Sequence, residues 1–207
     1  MTHWAYRIRL AQPEDAEAYV AAHVTSQIAT YAHLMPPEHA DPRQAEAAIA
    51  AAELAVDLAT MHDDLAAGRE PFRRHWGAAA PPRGGNPGAR TTPGGGSSVA
   101  AGPRGILGIA CAGAGQNWWE ANFDPPPVDV PYMLDRLYLR PQAQGSGVGQ
   151  ALFEAAVGDR SAYLWIIANN PRAERFYVRN GFSPDGAAGP AGGPWLGRPM
   201  FRMVRRT

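Results

Sequence analysis

Apolar and polar residues alternate at the start of the chain, and Trp4-Ala5-Tyr6-Arg7-Ile8-Arg9-Leu10 reads as a first strand. The period then lengthens. Pro13-Glu14-Asp15 suits the first turn of a helix, and Ala16, Tyr19, Val20, His23 and Val24 follow at helical spacing. That helix is expected to continue or break near Tyr31 to Met35, before Pro36 and Pro37 stop it. Asp41-Pro42-Arg43-Gln44 looks like a capped start to a second helix, which would run to about Ala67 with Leu54, Leu58, Met61 and Leu65 on one face. At roughly 38 Å such a helix is long for one domain, so a kink or docking against a second copy, as a homodimer, is expected.

From about Gly77 to Arg104 the pattern vanishes into Pro, Gly, Ala, Ser and Thr with scattered Arg. Such a segment buries too little apolar surface to offset its ordering entropy, and the expectation is a mobile loop holding at most a short strand near Ala89 to Thr92. Strand character returns over Gly105 to Ala112 and Tyr132 to Leu139. The intervening loop carries Trp118, Trp119 and Glu120. A helix begins after Gly147, with Val148, Ala151, Leu152, Ala155 and Ala156 on one face and Gly158 as its stop. Ser161 to Ala168 is almost wholly apolar and reads as a central strand. Asn170-Pro171 then caps a short helix with Ala173, Phe176 and Tyr177, and Phe182 with Trp195 to Val204 forms a terminal hairpin across a Gly/Pro-rich loop.

The most informative stretch is Leu137 to Ala156, a strand, a tight loop and a helix. Gly145, Gly147 and Gly149 alternate in the loop, which lets a ligand approach the backbone closely. Unpaired N–H groups and the positive end of the dipole at a helix start favour a phosphate, so the stretch reads as a pyrophosphate cradle. A dehydrogenase-type fingerprint would sit near the first strand with an acid on the next one, and a triphosphatase loop needs a lysine that this chain lacks.

Composition narrows the class further. The 207 residues suit a single domain, 1–207, with an insert at about 77–104; 45% are hydrophobic and 18% charged. Net charge is zero, and neither nucleic acid nor an anionic membrane is expected as a partner. The basic residues are all Arg, a habit of composition consistent with a GC-rich genome. Cys111 is the lone cysteine and reads as a buried apolar residue, so neither a disulfide within the chain nor a thiolate metal site is expected. No metal site is expected from His23 or His33 either. Without a long apolar run or a secretion pattern in the first residues, the expected location is the cytoplasm.

Two segments together resemble the Gcn5-related N-acetyltransferase (GNAT) superfamily. Leu137 to Pro141 followed by Gln144-Gly145-Ser146-Gly147-Val148-Gly149 is similar to its Gln/Arg-x-x-Gly-x-Gly/Ala motif. Ala168 to Ala173 with Phe176-Tyr177 and Asn180-Gly181-Phe182 looks like its second cofactor segment, and Arg7 to Arg9 with Pro13 to Ala16 resembles the usual opening. The resemblance implies an α/β fold: a mixed, mostly antiparallel central sheet splayed at a V-shaped cofactor cleft and flanked by helices. It implies acetyl-CoA as co-substrate, bound by the stretch Leu137, Tyr138 and Leu139, by Gln144, Gly145, Ser146, Gly147, Val148, Gly149 and Gln150, and by Asn170 from the other side. Backbone groups of Leu137 and Leu139 would hold the pantetheine arm, the amide of Leu139 would face the oxyanion, and Tyr177 would protonate the leaving thiolate.

The implied reaction moves an acetyl group to an amine of a small molecule or protein by direct attack in a ternary complex. An alkylammonium with a pKa of roughly 10 must lose a proton first, so a base is required; Asp135 and Glu120 are the candidate carboxylates. Trp118 and Trp119 could wall the acceptor site, and His23 and His33 lie in the same region of the chain. The competing expectation is a non-catalytic acyl-CoA-binding or sensing module.

Overall fold

In the computed structural model, which describes residues 6–36, 44–80, 105–192 and 195–207, the opening alternation becomes strand β1 (Arg7–Leu10). A 3-10 turn, Pro13–Asp15, leads into helix α1 (Ala16–Tyr31). Arg9 at the end of β1 grips Asp15 with two hydrogen bonds, of 2.5 and 2.8 Å, and the same carboxylate accepts the Gln12 amide at 2.8 Å. The acid in the first turn thus fixes the angle between strand and helix. Helix α2 spans Ala47–Ala66 and buries Ala51, Leu54, Leu58 and Met61, the face its spacing predicted. The expected start at Asp41-Pro42-Arg43 lies outside the described residues.

Strand β2 (Arg73–Ala79) occupies a stretch in which no strand was expected, and it takes in Gly77 to Ala79, assigned from sequence to the insert. Its partners explain it. β1 pairs with one edge and β3 (Ile106–Ala114) with the other, both antiparallel, and Gly77 leaves room for the Ile106 side chain. Residues 81–104, including the strand expected near Ala89, lie outside the described residues.

Strands β4 (Tyr132–Leu139) and β5 (Ala162–Ile167) follow the expected bounds closely, as do helices α3 (Val148–Ala156) and α4 (Pro171–Arg179). The terminal hairpin pairs β6 (Ser183–Pro190) with β7 (Pro199–Arg205). β6 corrects the expectation of a loop there. It is an edge strand, where prolines do not interrupt a ladder on both sides.

The seven strands form one sheet in the order β1-β2-β3-β4-β5-β7-β6, antiparallel except for β4 and β5. One face carries α3 and α4, whose Val148, Leu152, Phe153 and Tyr177 pack over Ala110, Leu134 and Leu164. The other carries α1 and α2, with Tyr19, Val20, Leu54 and Leu58 over Ile109. Each large aliphatic side chain so buried contributes about 1.5–3 kcal/mol. Gly108 lets the layers close, since a Cβ there would lie 2.5 Å from Leu139 Cδ2 and 3.1 Å from Leu152 Cδ1.

Candidate active site

The parallel pair β4 and β5 makes one register match, Met133 with Tyr163, and then separates. On its other edge β4 stays paired with β3 along its length. Arg140 N–H reaches Leu107 O at 2.9 Å, so alternation along the strand turns the backbone groups of Leu139 and Leu137 to the opposite edge, toward β5. There the ladder has already ended. The gap is a cleft of about 380 Å³, lined by Leu134 to Leu139 on one side and by Leu164 to Ile166, Asn170, Phe176 and Tyr177 on the other.

One end of the cleft meets the start of α3. Gly145 and Gly147 have φ of +80° and +88°, a left-handed conformation that favours glycine, and Gly147 is the residue from which the helix departs. A Cβ on Gly149 would lie 2.9 Å from Leu139 Cδ1, so its bareness keeps helix and strand close. The first bond of the helix runs from Ala151 N–H to Gly147 O, at 3.1 Å, which leaves the amides of Val148, Gly149 and Gln150 ahead of its own ladder. Two other amides of the predicted cradle are turned inward: Gln144 N–H bonds Pro141 O and Ser146 N–H bonds Ala143 O. The Ser146 hydroxyl also donates to Ala143 O, and the Val148 side chain is fully buried. Gln144, Gly145, Gly147, Gly149 and Gln150 line the cleft. Arg172, which donates to Gln144 Oε1, and Arg179 bring positive charge to the same end; sequence reasoning passed over both.

α4 supplies the far wall. Asn170 Oδ1 accepts the Ala173 amide at 3.2 Å as an N-cap, while its Nδ2 donates to Tyr31 Oη at 3.2 Å. Tyr177 is buried on this wall, and burial pushes its phenol well above the ordinary value near 10, so it stays protonated at neutral pH. Tyr31 and Tyr138 line both this cleft and a second cavity behind it, and burial raises both phenols likewise. Tyr31, at the end of α1, is a site residue the sequence did not single out.

A bulge in β4 makes the junction. Cys111 pairs with Arg136 and Ala112 with Leu134, so Asp135 is the extra residue. Asp135 and Arg136 both line the two cavities, with Asp135 Oδ2 3.3 Å from Arg136 Nε and Asp135 Oδ1 accepting Asn117 Nδ2 at 2.8 Å. Among the described residues Asp135 is the only carboxylate lining either cavity.

Glu120 stands elsewhere. It is 1% exposed, lines neither cavity, and accepts three hydrogen bonds: from the Asn117 amide (2.8 Å), Tyr163 Oη (3.0 Å) and Trp165 Nε1 (3.0 Å). With both oxygens occupied and no route to a substrate, it is a pillar beneath Trp165, not a placed base. The N-cap spacing Asn117 to Glu120 was the sequence signal for this, because a capping-box acid turns its carboxylate back to the chain.

His23 packs at a tilt against Tyr138, with ring centroids 4.9 Å apart, and lines the second cavity; His33 instead meets Asn169 O at 3.1 Å near the surface. Trp118, 82% exposed, stands at the cavity's edge, and Trp119 lines it. Cys111 lies 3.8 Å from His75 Nε2 in a buried group with Tyr19; burial pushes the thiol up to about 12 and the imidazole down to about 4. Among the described residues no group of three or more His, Cys, Asp or Glu is placed to hold a metal, and no helix is long and apolar enough to cross a membrane.

Comparison with known proteins gives the geometry a context. Residues 99–184 match the family model described as an acetyltransferase (GNAT) domain. No curated protein matches in sequence. Among solved structures, the chain is similar to the PaiA N-acetyltransferase of Thermoplasma acidophilum in complex with coenzyme A, at 17% identity and a TM-score of 0.62, with 98% of this chain and 99% of that one covered. It is also similar to a GCN5-related N-acetyltransferase of Rhodopseudomonas palustris (18%, TM-score 0.59, 100% and 99% covered) and to NAA60 of Arabidopsis thaliana in complex with a bisubstrate analogue (13%, 0.55, 97% and 98%). At these identities the structural likeness establishes the fold.

Proposed function

We propose, from the match of residues 99–184 to the GNAT acetyltransferase domain, that the chain is a GNAT acetyltransferase and transfers the acetyl group of acetyl-CoA to an amine of a small molecule or protein by direct attack in a ternary complex. The observation that carries this reading is the early end of the β4–β5 ladder, which opens a cleft onto the start of α3 at one end and onto a second cavity at the other.

The donor set fits the co-substrate. The amides of Val148, Gly149 and Gln150 and the side chains of Arg172 and Arg179 would receive the pyrophosphate, and the outward backbone groups of Leu137 and Leu139 would hold the amide-rich arm. When bound, acetyl-CoA supplies an activated thioester. The Leu139 N–H is oriented toward the cleft, as a donor to developing oxyanion charge must be. Tyr177 on the facing wall is protonated and able to donate to a leaving thiolate. Asp135, at the junction, is the carboxylate best placed to take the ammonium proton, directly or through water.

The test is thiol release from acetyl-CoA by purified protein over a broad amine panel. Amine-dependent release supports transfer; acetyl-CoA binding with no release on any amine favours a sensing module.

A further inference from the structure

The second cavity, of about 340 Å³, is lined by a cluster of aromatic rings, with Gln27 and Asn122 among its polar residues. Tyr31, Tyr138, Trp119, Trp165 and Trp195 line it, and Trp118 stands at its edge. Its floor is apolar: Met133, Ile167 and Met200 are 1%, 7% and 5% exposed. The volume lies within the range of small-molecule sites, which are predominantly apolar with a few placed polar groups.

The walls are fixed before any ligand arrives. Trp165 is held by its Nε1 bond to Glu120, by edge contacts with Phe123 (5.2 Å) and Trp119 (6.0 Å), and by the Arg202 guanidinium 5.5 Å from its ring. Arg202 is in turn bonded to Asp185 at 2.8 Å. Trp195 meets Tyr31 edge-on at 4.8 Å. Rigid aromatic surfaces of this kind favour flat, apolar guests at low ordering cost and add cation–π attraction for an ammonium.

Among the described residues, Asp135 and Arg136 are the acidic and guanidinium groups that line the cavity. They stand together where the cavity joins the cofactor cleft, already paired with each other. A monoamine can set its nitrogen beside Asp135 and its body among the rings. A polyamine would bring further ammonium groups to walls where the described residues offer no second carboxylate, and desolvating them there is costly.

Resting on the acetyl-transfer reading, we propose that the acceptor is a primary monoamine whose body is aromatic, with the ring between Trp119, Trp165 and Trp195 and the amine at Asp135. The test compares phenethylamine and tryptamine with propylamine, spermidine, and phenylalanine and tryptophan as free amino acids, by thiol release. The arylalkylamines should exceed each of the others by at least tenfold in kcat/KM. Trp119→Leu and Trp195→Leu should each raise the KM for phenethylamine at least fivefold while leaving the KM for acetyl-CoA within twofold. Preference for spermidine, propylamine or the amino acids overturns this proposal and leaves acetyl transfer standing. Should no amine release thiol, acetyl transfer itself fails, and calorimetric titration of phenethylamine into the protein with CoA present decides the cavity: saturable binding weakened by Trp119→Leu supports the aromatic site, and no binding overturns it.

Discussion

Replacing Glu120 with Gln separates a carboxylate that builds the site from one that performs the chemistry. The wild-type side chain, itself 1% exposed, accepts from the Asn117 amide and Tyr163 Oη at Oε1 and from Trp165 Nε1 at Oε2. A Gln can keep its carbonyl toward Asn117 and Tyr163, but its amide nitrogen then faces the Trp165 N–H, donor against donor. The loss is one charge-assisted bond plus an unsatisfied indole N–H, together about 3 kcal/mol. That lies below the 5–15 kcal/mol typical of a whole domain, so the variant should remain folded at 25 °C. In thermal unfolding the midpoint should fall by roughly 6–12 °C for a chain of this size. Because Trp165 loses its anchor, the acceptor KM should rise severalfold while kcat stays within about tenfold of wild type. A general base would behave oppositely: loss of its proton transfer costs about 10²–10⁴-fold in rate. An unchanged melting midpoint with a kcat lowered by a hundredfold or more would refute the structural role assigned to Glu120.

Tyr177→Phe should lower kcat by at least tenfold and leave the calorimetric affinity for CoA within about twofold; an unchanged rate removes Tyr177 from the mechanism. His75 has its folded pKa lowered to about 4 by burial, so its contribution to stability is complete above its unfolded value near 6.5 and is lost as pH falls from there toward about 4. The loss amounts to ~3 kcal/mol; urea midpoints measured across that window should drop in the wild type and flatten in His75→Leu, and equal slopes would contradict the assignment. Tyr19, Tyr138 and Tyr177 are all raised by burial, which is the opposite sign for stability: they contribute fully below about pH 10, and denaturant midpoints should decline above it. Cys111 is 1% exposed with its thiol pushed up to about 12, so a disulfide reagent should label it only in denaturant; rapid labelling of the native protein would show that the strand opens.

How far the sequence revealed this site depended on whether each part was local. The strand-to-helix turn was legible because Gly145, Gly147 and Gly149 punctuate it within a few residues, and β5 because a continuous apolar run suits a strand covered on both faces. β2 was not, since Arg73-Arg74-His75-Trp76 shows no period and becomes a strand only through its partners β1 and β3. β6 was hidden by its own glycines and prolines, which only an edge position tolerates. The bulge at Asp135 exists in the register between two strands, so nothing in Leu134-Asp135-Arg136 announces it. The aromatic cavity was half visible, in Trp118 and Trp119; Tyr31, Trp165 and Trp195 join them from α1, β5 and the segment before β7. Glu120 drew notice because a carboxylate beside tryptophans suggests chemistry; its three donors, the Asn117 amide, Tyr163 and Trp165, come together only in the fold.

On the proposed function, the splayed strands and the start of α3 bind the two ends of one cofactor. Calorimetric titration of acetyl-CoA against acetyl-pantetheine, which keeps the thioester arm and lacks the pyrophosphate, tests this most directly. Saturable acetyl-CoA binding, weakened at least a hundredfold in acetyl-pantetheine, is the predicted result. Equal affinity for the two, or no binding of acetyl-CoA, would contradict it.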